Sequence, residues 1–169
     1  MARSLLKIID SISEWAGKCT SFLILPGIAV LAWEVISRYG LNQPTMWAHG
    51  TSQRLFAAYY VLGGAYVLRY GDHVNVDLIY SRFPPRTKAI LDLITSLAFF
   101  AFCGVLLWQG WEFALTSLSQ LEPDDTPWRA PLYPVKLMIP AGALLILLQG
   151  LANFFRNLVT AVTGREYEY

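Results

Sequence analysis

Histidine and cysteine are almost missing from this chain, each occurring twice in 169 residues. Neither Cys19 and Cys103 nor His49 and His73 form a cluster with metal-ligand spacing, so no metal site is expected. A haem held by two histidines is excluded on length. His49 and His73 stand 24 residues apart, roughly 36 Å of helix, which puts them at opposite ends of any helix that joins them. A glycine-rich phosphate loop is lacking, as is a nucleophile beside its base. The chain is therefore expected to be no enzyme, with no catalytic residue and no cofactor of its own. Charge is scarce too: 15% of residues are charged and the formal net charge is +1, which leaves no basic surplus for nucleic acid. Charged side chains are wholly absent from 93–111 and from 137–155.

What the chain has instead is apolar length. Hydrophobic residues make up 55% of it, and they gather in four runs at 21–36, 55–68, 93–111 and 137–155. A bilayer core about 30 Å thick takes roughly 20 apolar residues of helix, because each backbone amide must find its partner within the segment. The pattern predicts an all-α integral membrane protein, a single tetraspan domain over 1–169. Its spans are expected near 19–38, 47–69, 88–115 and 135–156, followed by a polar tail over 157–169. Cys19 and Cys103 then lie at the end of the first span and inside the third, as free packing residues rather than a disulfide.

The charges sort by loop. Arg3, Lys7, Lys18, Arg69, Arg82, Arg86, Lys88, Arg156 and Arg165 fall on one side, against Arg38, Arg54, Arg129 and Lys136 on the other. That asymmetry predicts both termini in the cytoplasm. Trp33, Trp47, Trp108, Trp111 and Trp128 then sit near the outer interface and Trp15 near the inner one, the depth that indole prefers. Over 1–18, Leu5, Leu6, Ile8, Ile9, Ile12, Trp15 and Ala16 share one helical face, the pattern of an amphipathic helix in the membrane interface. Lys7, Asp10 and Glu14 interrupt the apolar stretch that a cleaved signal peptide would need, so this segment is expected to be retained.

The loops carry the remaining information. Thr45 is placed to cap the second span after Pro44, and Gly63 and Gly64 at its centre allow a neighbouring helix to come close. A short surface helix is expected between the second and third spans, capped by Asp72 and stopped by Pro84, with His73 and Asp77 one turn apart. That pair is either a local polar contact or a device fixing the angle of the surface helix. The loop over 121–134 holds prolines at 123, 127, 131 and 134, and is stiff and acidic through Glu122, Asp124 and Asp125. Carboxylates near the membrane are Glu34, Asp92 and Glu112. Glu34 has Arg38 one turn later and Asp92 has Lys88 one turn earlier, so local pairing or subunit docking explains them better than an ion path.

Arg38-Tyr39 followed by Pro44 and Trp47, then Arg69 with Gly71-Asp72-His73-Val74-Asn75-Val76-Asp77, and later Pro131, Pro134 and Pro140, make a pattern ordered along four helices. It resembles the small membrane subunit of tripartite ATP-independent periplasmic (TRAP) transporters, the DctQ-like family, from about Glu34 to Arg156. The resemblance implies four membrane helices with cytoplasmic termini in the bacterial inner membrane. It implies a large multi-span permease subunit that holds the substrate and sodium sites, and a periplasmic binding protein that delivers an organic acid. The small subunit would brace the scaffold of an elevator-type permease. At His49-Gly50 the sequence departs from many relatives, which carry an acidic residue there, so no carboxylate contact is carried over. On this reading Arg38, Arg54, Asp92 and Glu112 are candidates to face the large subunit. Glu34, Trp47, His73 and Asp77 are structural, and Glu122, Asp124, Asp125 and Trp128 form a docking rim for the binding protein. Two rivals are a self-sufficient proton-coupled multidrug exporter and the membrane anchor of a redox complex.

Overall fold

The computed structural model describes residues 2–70 and 83–164. Among these residues are five α-helices: α1 (Ala2–Ser21), α2 (Ile24–Val35), α3 (Ala48–Tyr70), α4 (Pro85–Ser119) and α5 (Tyr133–Thr163). No strand occurs among the described residues. The surface helix expected around His73 and Asp77 lies outside them.

The first two helices form one arm. Pro26, in the first turn of α2, has no N–H for the carbonyl of Phe22, so the helix is interrupted at Phe22 and Leu23. Leu23 nevertheless keeps right-handed helical angles (φ −68°, ψ −19°), and the interruption is a kink instead of a turn. The arm runs antiparallel along α3: Gly17 lies against Tyr66 and Gly27 against Phe56. The amphipathic segment thus continues past residue 18 into the packed arm. Its polar side, with Asp10, Ser13 and Thr20, is buried, while Leu5, Ile8, Ile12 and Trp15 point outward.

α2 ends in a widened π turn, Ile36–Gly40, closed by the Leu41 N–H donating to the Ile36 carbonyl at 3.1 Å. Asn42 then takes a left-handed angle (φ 54°) and reverses the chain. Thr45, expected to cap α3, instead donates its N–H (3.1 Å) and its hydroxyl to Glu34. The first turn of α3 is opened by the Trp47 carbonyl, which accepts from the Thr51 N–H at 3.0 Å.

α4 starts where Pro84 is extended and Pro85 occupies the first turn. α5 also has a proline, Pro134, in its first turn, and closes on Gly164, whose φ of 70° suits a left-handed cap. Arg86 caps the far end of α5, donating to the carbonyls of Ala161 (3.0 Å) and Val162 (3.2 Å). Those carbonyls would otherwise lack partners.

The arm and the helices pack in the order α1/α2, α3, α5, α4, with α1 also touching α5. Small residues make these contacts. Ala89, Cys103, Gly110 and Ser117 fall at seven- or fourteen-residue intervals on the buried stripe of α4. Gly142 of α5 lies so close to α3 that an added Cβ would stand 2.6 Å from the Val61 carbonyl oxygen. Among the described residues the buried apolar side chains are alanines, Cys103 and Pro140, while Phe102 of α4 is 69% exposed and Leu97 71%. Large apolar side chains outside and small ones inside is the packing of helices in lipid.

Among the described residues three helical stretches are long and apolar enough to cross a membrane: Ser4–Gly40, Arg86–Ser119 and Tyr133–Thr163. α3, the helix expected to be the second span, has the length, 23 residues or roughly 34 Å. It does not meet the same measure of apolarity, since it carries Gln53, Arg54, Arg69 and four tyrosines. Flanked by the arm and α5, it finds partners within the chain for both arginines.

Candidate functional site

Polar side chains concentrate at the two ends of the helix row. At the end formed by the start of α1 and the close of α3 and α5, a cluster ties three helices together. Gln149 is fully buried in α5; its amide donates to Asp10 Oδ1 at 3.1 Å and its carbonyl accepts from Ser13 Oγ at 2.7 Å. Arg156, two turns on, donates to Asp10 Oδ2 at 2.5 Å and to Asn153 Oδ1 at 3.1 Å. Asn153 in turn donates to the Leu68 carbonyl of α3 at 3.1 Å. Arg69 returns from α3 to the arm, donating to the Asp10 carbonyl at 2.9 Å and to Glu14 Oε2 at 2.6 Å. Lys18 takes the other oxygen of Glu14, at 2.6 Å.

This cluster was not singled out from sequence, although a signal was there. Gln149, Asn153 and Arg156 make one helical stripe inside the last apolar run, and Asp10, Ser13 and Glu14 make another on α1. Each stripe looks like a solvated face until the two are seen to meet.

The opposite end holds most of the expected residues. Glu34 is buried and accepts from Arg38 Nε at 2.9 Å, the pairing that their four-residue spacing suggested, and Arg38 itself stays half exposed. Arg54 donates to Asp124 Oδ2 at 3.0 Å and lies 5.4 Å from the centre of the Trp128 ring. Asp124 also sits beside Gly50, in the first turn of α3, where unpaired backbone N–H groups favour a carboxylate. Lys136 donates to Glu122 at 2.5 Å and rests 4.0 Å over the Phe113 ring. The ammonium of Lys136 holds the Glu122 carboxyl below the usual carboxylate range.

The proline-rich loop is closed by its backbone. Asp124 N–H donates to the Ala130 carbonyl (2.8 Å), Leu132 N–H to the Glu122 carbonyl (2.9 Å), and Pro123 pairs with Pro131 across the stem. Arg129 turns the tip with φ 48°. Asp125 and Trp128 are exposed there. Trp47 is exposed just before α3, and Glu112 is exposed on α4, where it accepts from Trp108 Nε1 at 2.9 Å. Asp92 lies at the Asp10 end and accepts from Asn157 of α5 at 3.3 Å. Thus Glu34 with Arg38, and Arg54 with Asp124 and Trp128, are brought together, while Asp92 and Glu112 stand apart. Among the described residues no group of three His, Cys, Asp or Glu side chains could hold a metal ion.

Residues 27–160 match the model of the family described as tripartite ATP-independent periplasmic transporters, DctQ component. The chain is 28% identical over 112 residues to the sialic acid TRAP transporter small permease protein SiaQ of Vibrio cholerae, covering 66% of this chain and 63% of that one. It is 28% identical over 96 residues to the C4-dicarboxylate TRAP transporter small permease protein DctQ of the same species, covering 55% and 41%. In both cases the match spans less than two thirds of the relative's length. The family match covers the arm from Gly27 through nearly all of α5, and on that ground this chain belongs to the DctQ family of TRAP transporter components.

Proposed function

We propose that the chain is the small membrane subunit of a TRAP transporter, bracing a large permease subunit during uptake of an organic acid or related solute. A periplasmic binding protein delivers the solute, and an ion gradient, with sodium held in the large subunit, drives it. On this reading the chain crosses the bacterial inner membrane four times, with α3 as the fourth crossing and both termini cytoplasmic. The observation that supports a bracing role best is the way the polar groups inside the row are used. Asp10, Ser13, Gln149 and Arg156 are engaged with one another across helices, which stiffens the row instead of lining a path through it. Burial of such pairs is tolerated in lipid because each group has its partner.

Of the charged candidates for the large-subunit contact, Arg54 is held by Asp124 and orders the loop. Arg38 and Glu112 keep exposed surface for a partner, and Asp92 lies against Asn157. Asp125 and Trp128, at the exposed tip of the loop, are the surface offered to the binding protein. Reconstitution into vesicles tests the function. Solute flux should require the large subunit together with this chain and the binding protein, and this chain alone should carry none. Flux through it alone would overturn the proposal in favour of a self-sufficient exporter.

A further inference from the structure

α3 is covered unevenly. The arm presses on its Phe56 and Tyr66 side, and α5 on its Val61, Gly64 and Leu68 side. The arm and α5 also join each other through Ser13–Gln149 and Asp10–Arg156, and one side of α3 is closed over, with Ala58 2% and Ala65 0% exposed. On the opposite side Gln53, Tyr60 and Val67, seven residues apart, remain open. A furrow of about 550 Å³ runs along this open strip between α1 and α3. Gly63 lies in its floor, Tyr60 and Val67 line its edge, and Lys18 stands at one end.

Lipid is a poor occupant for this furrow. Tyr60 is 71% exposed; its ring meets the edge of the Tyr59 ring, and among the described residues its hydroxyl has no hydrogen-bond partner. It sits near the middle of α3, roughly 18 Å from Ala48 and 15 Å from Tyr70 along the axis. An acyl chain cannot accept a hydrogen bond from its hydroxyl, and tyrosine prefers the membrane interface for that reason. Charge points the same way. At the Lys18 end, Lys18 and Arg69 share the carboxylate of Glu14, which among the described residues leaves one cation in excess. A second copy of this chain also fits badly, because a two-fold axis along the membrane normal would set Lys18 against Lys18 at the same depth.

We infer that this furrow seats one transmembrane helix of the large permease subunit. That helix brings small residues to the Gly63 floor, a hydrogen-bonding group to the level of Tyr60 and a carboxylate toward Lys18. The inference rests on the small-subunit reading and adds the contact face to it. The charged candidates Arg38, Asp92 and Glu112 lie outside the strip.

The test uses the complex of this chain with its large subunit, co-expressed and purified through a tag on this chain. A photo-crosslinking amino acid is placed at Gln53, Tyr60 or Val67, and, as a control, at Leu97 or Phe102 on the exposed face of α4. The strip positions should give an adduct of the two subunits and the α4 positions should not. Gly63→Leu supplies a second arm. A Cβ on Gly63 meets nothing nearer than Thr20 Oγ1 at 3.8 Å, so the isolated variant should keep the wild-type unfolding temperature. It should also lose about tenfold or more of the co-purified large subunit, as expected when a side chain is forced into a packed contact. Adducts of two copies of this chain, adducts from α4 alone, or lipid adducts alone from the strip would each overturn the seat. If the wild-type chain retains its large subunit while the strip yields no adduct, the seat falls and the small-subunit reading stands. If no large subunit is retained at all, both fall.

Discussion

At the Asp10 end three helices are joined by hydrogen bonds from side chains, through a carboxylate, an arginine and two amides that are mostly buried. At the Asp124 end two ion pairs, Arg54–Asp124 and Lys136–Glu122, tie a loop to helix ends and stay partly open, with the Arg54 and Asp124 side chains 19% and 21% exposed. Similar residue types therefore carry different consequences. A buried charge that loses its partner is stranded, whereas a charge at the edge of the row recovers water. The loop has a further safeguard, since its backbone hydrogen bonds close it whether or not the ion pairs form. The first end should set the stability of the row, and the second should set the shape of the surface it shows.

Arg156→Ala breaks that contrast most sharply. Asp10, with its side chain 7% exposed, would be left without its strongest partner, and breaking a buried pair in this way costs about 3–5 kcal/mol. Thermal unfolding in detergent should show the loss. The double variant Asp10→Ala, Arg156→Ala should be more stable than Arg156→Ala alone, because no stranded charge remains. A double variant no better than the single would mean that packing of the arginine, not charge pairing, holds this end.

Gln149→Leu asks whether the amide matters apart from the ion pair. Leucine nearly matches glutamine in size, but it leaves the Ser13 hydroxyl and one Asp10 oxygen without their partner in a buried site, at a cost of about 1–3 kcal/mol. Adding Ser13→Ala should recover part of the loss if the hydroxyl is the group left short. Unchanged unfolding in Gln149→Leu would assign the cluster's contribution to Asp10 and Arg156 alone.

The two ends also differ in how far they could be read from sequence. Glu34 and Arg38 lie on one helix, so their four-residue spacing displays the pairing directly. The Pro84–Pro85 start of α4 and the apolar stretches of α4 and α5 are local in the same sense. The Asp10 cluster joins α1 to α5 through residues 136 and more positions apart, and no local pattern says which polar stripe meets which. Arg54 illustrates the same limit: it reads as a charge seeking an outside partner until the loop folds Asp124 onto it, 70 positions away. α3 was legible in its extent and less so in its character, because its polar residues make sense only once the arm and α5 are seen beside it. Thr45 reads locally as a cap, and a distant carboxylate on α2 claims it instead.

Asp124→Lys should show the smaller effect expected at the open end. It sets a second cation beside Arg54 and the first turn of α3, yet stability should fall by only about 1 kcal/mol, since this pair lies at the edge of the row, where water can reach the separated charges. Uptake with the full transporter should fall further than stability does, because the Trp128 ring loses the Arg54 group that lies on it. Equal loss of both would make the loop a stabilising element and remove the distinction drawn between the ends.

The mildest effect is a pH response confined to the loop. Glu122 has its pKa lowered in the folded chain by the hydrogen bond from Lys136. A carboxylate with a depressed folded pKa contributes its full stabilisation above its ordinary range, and loses it as pH falls through the folded value. Acidification should therefore release Lys136 from Glu122 only below the usual glutamate range, while the backbone bonds of the stem persist. Phe113 keeps contact with the Lys136 ammonium throughout, so the change should be local. With the remaining tryptophans replaced by phenylalanine, Trp128 emission should shift in that acid range for the wild-type loop and stay flat in Glu122→Gln, which has no carboxyl to titrate. A shift that survives in Glu122→Gln would place the titrating group elsewhere and remove Glu122 from the response.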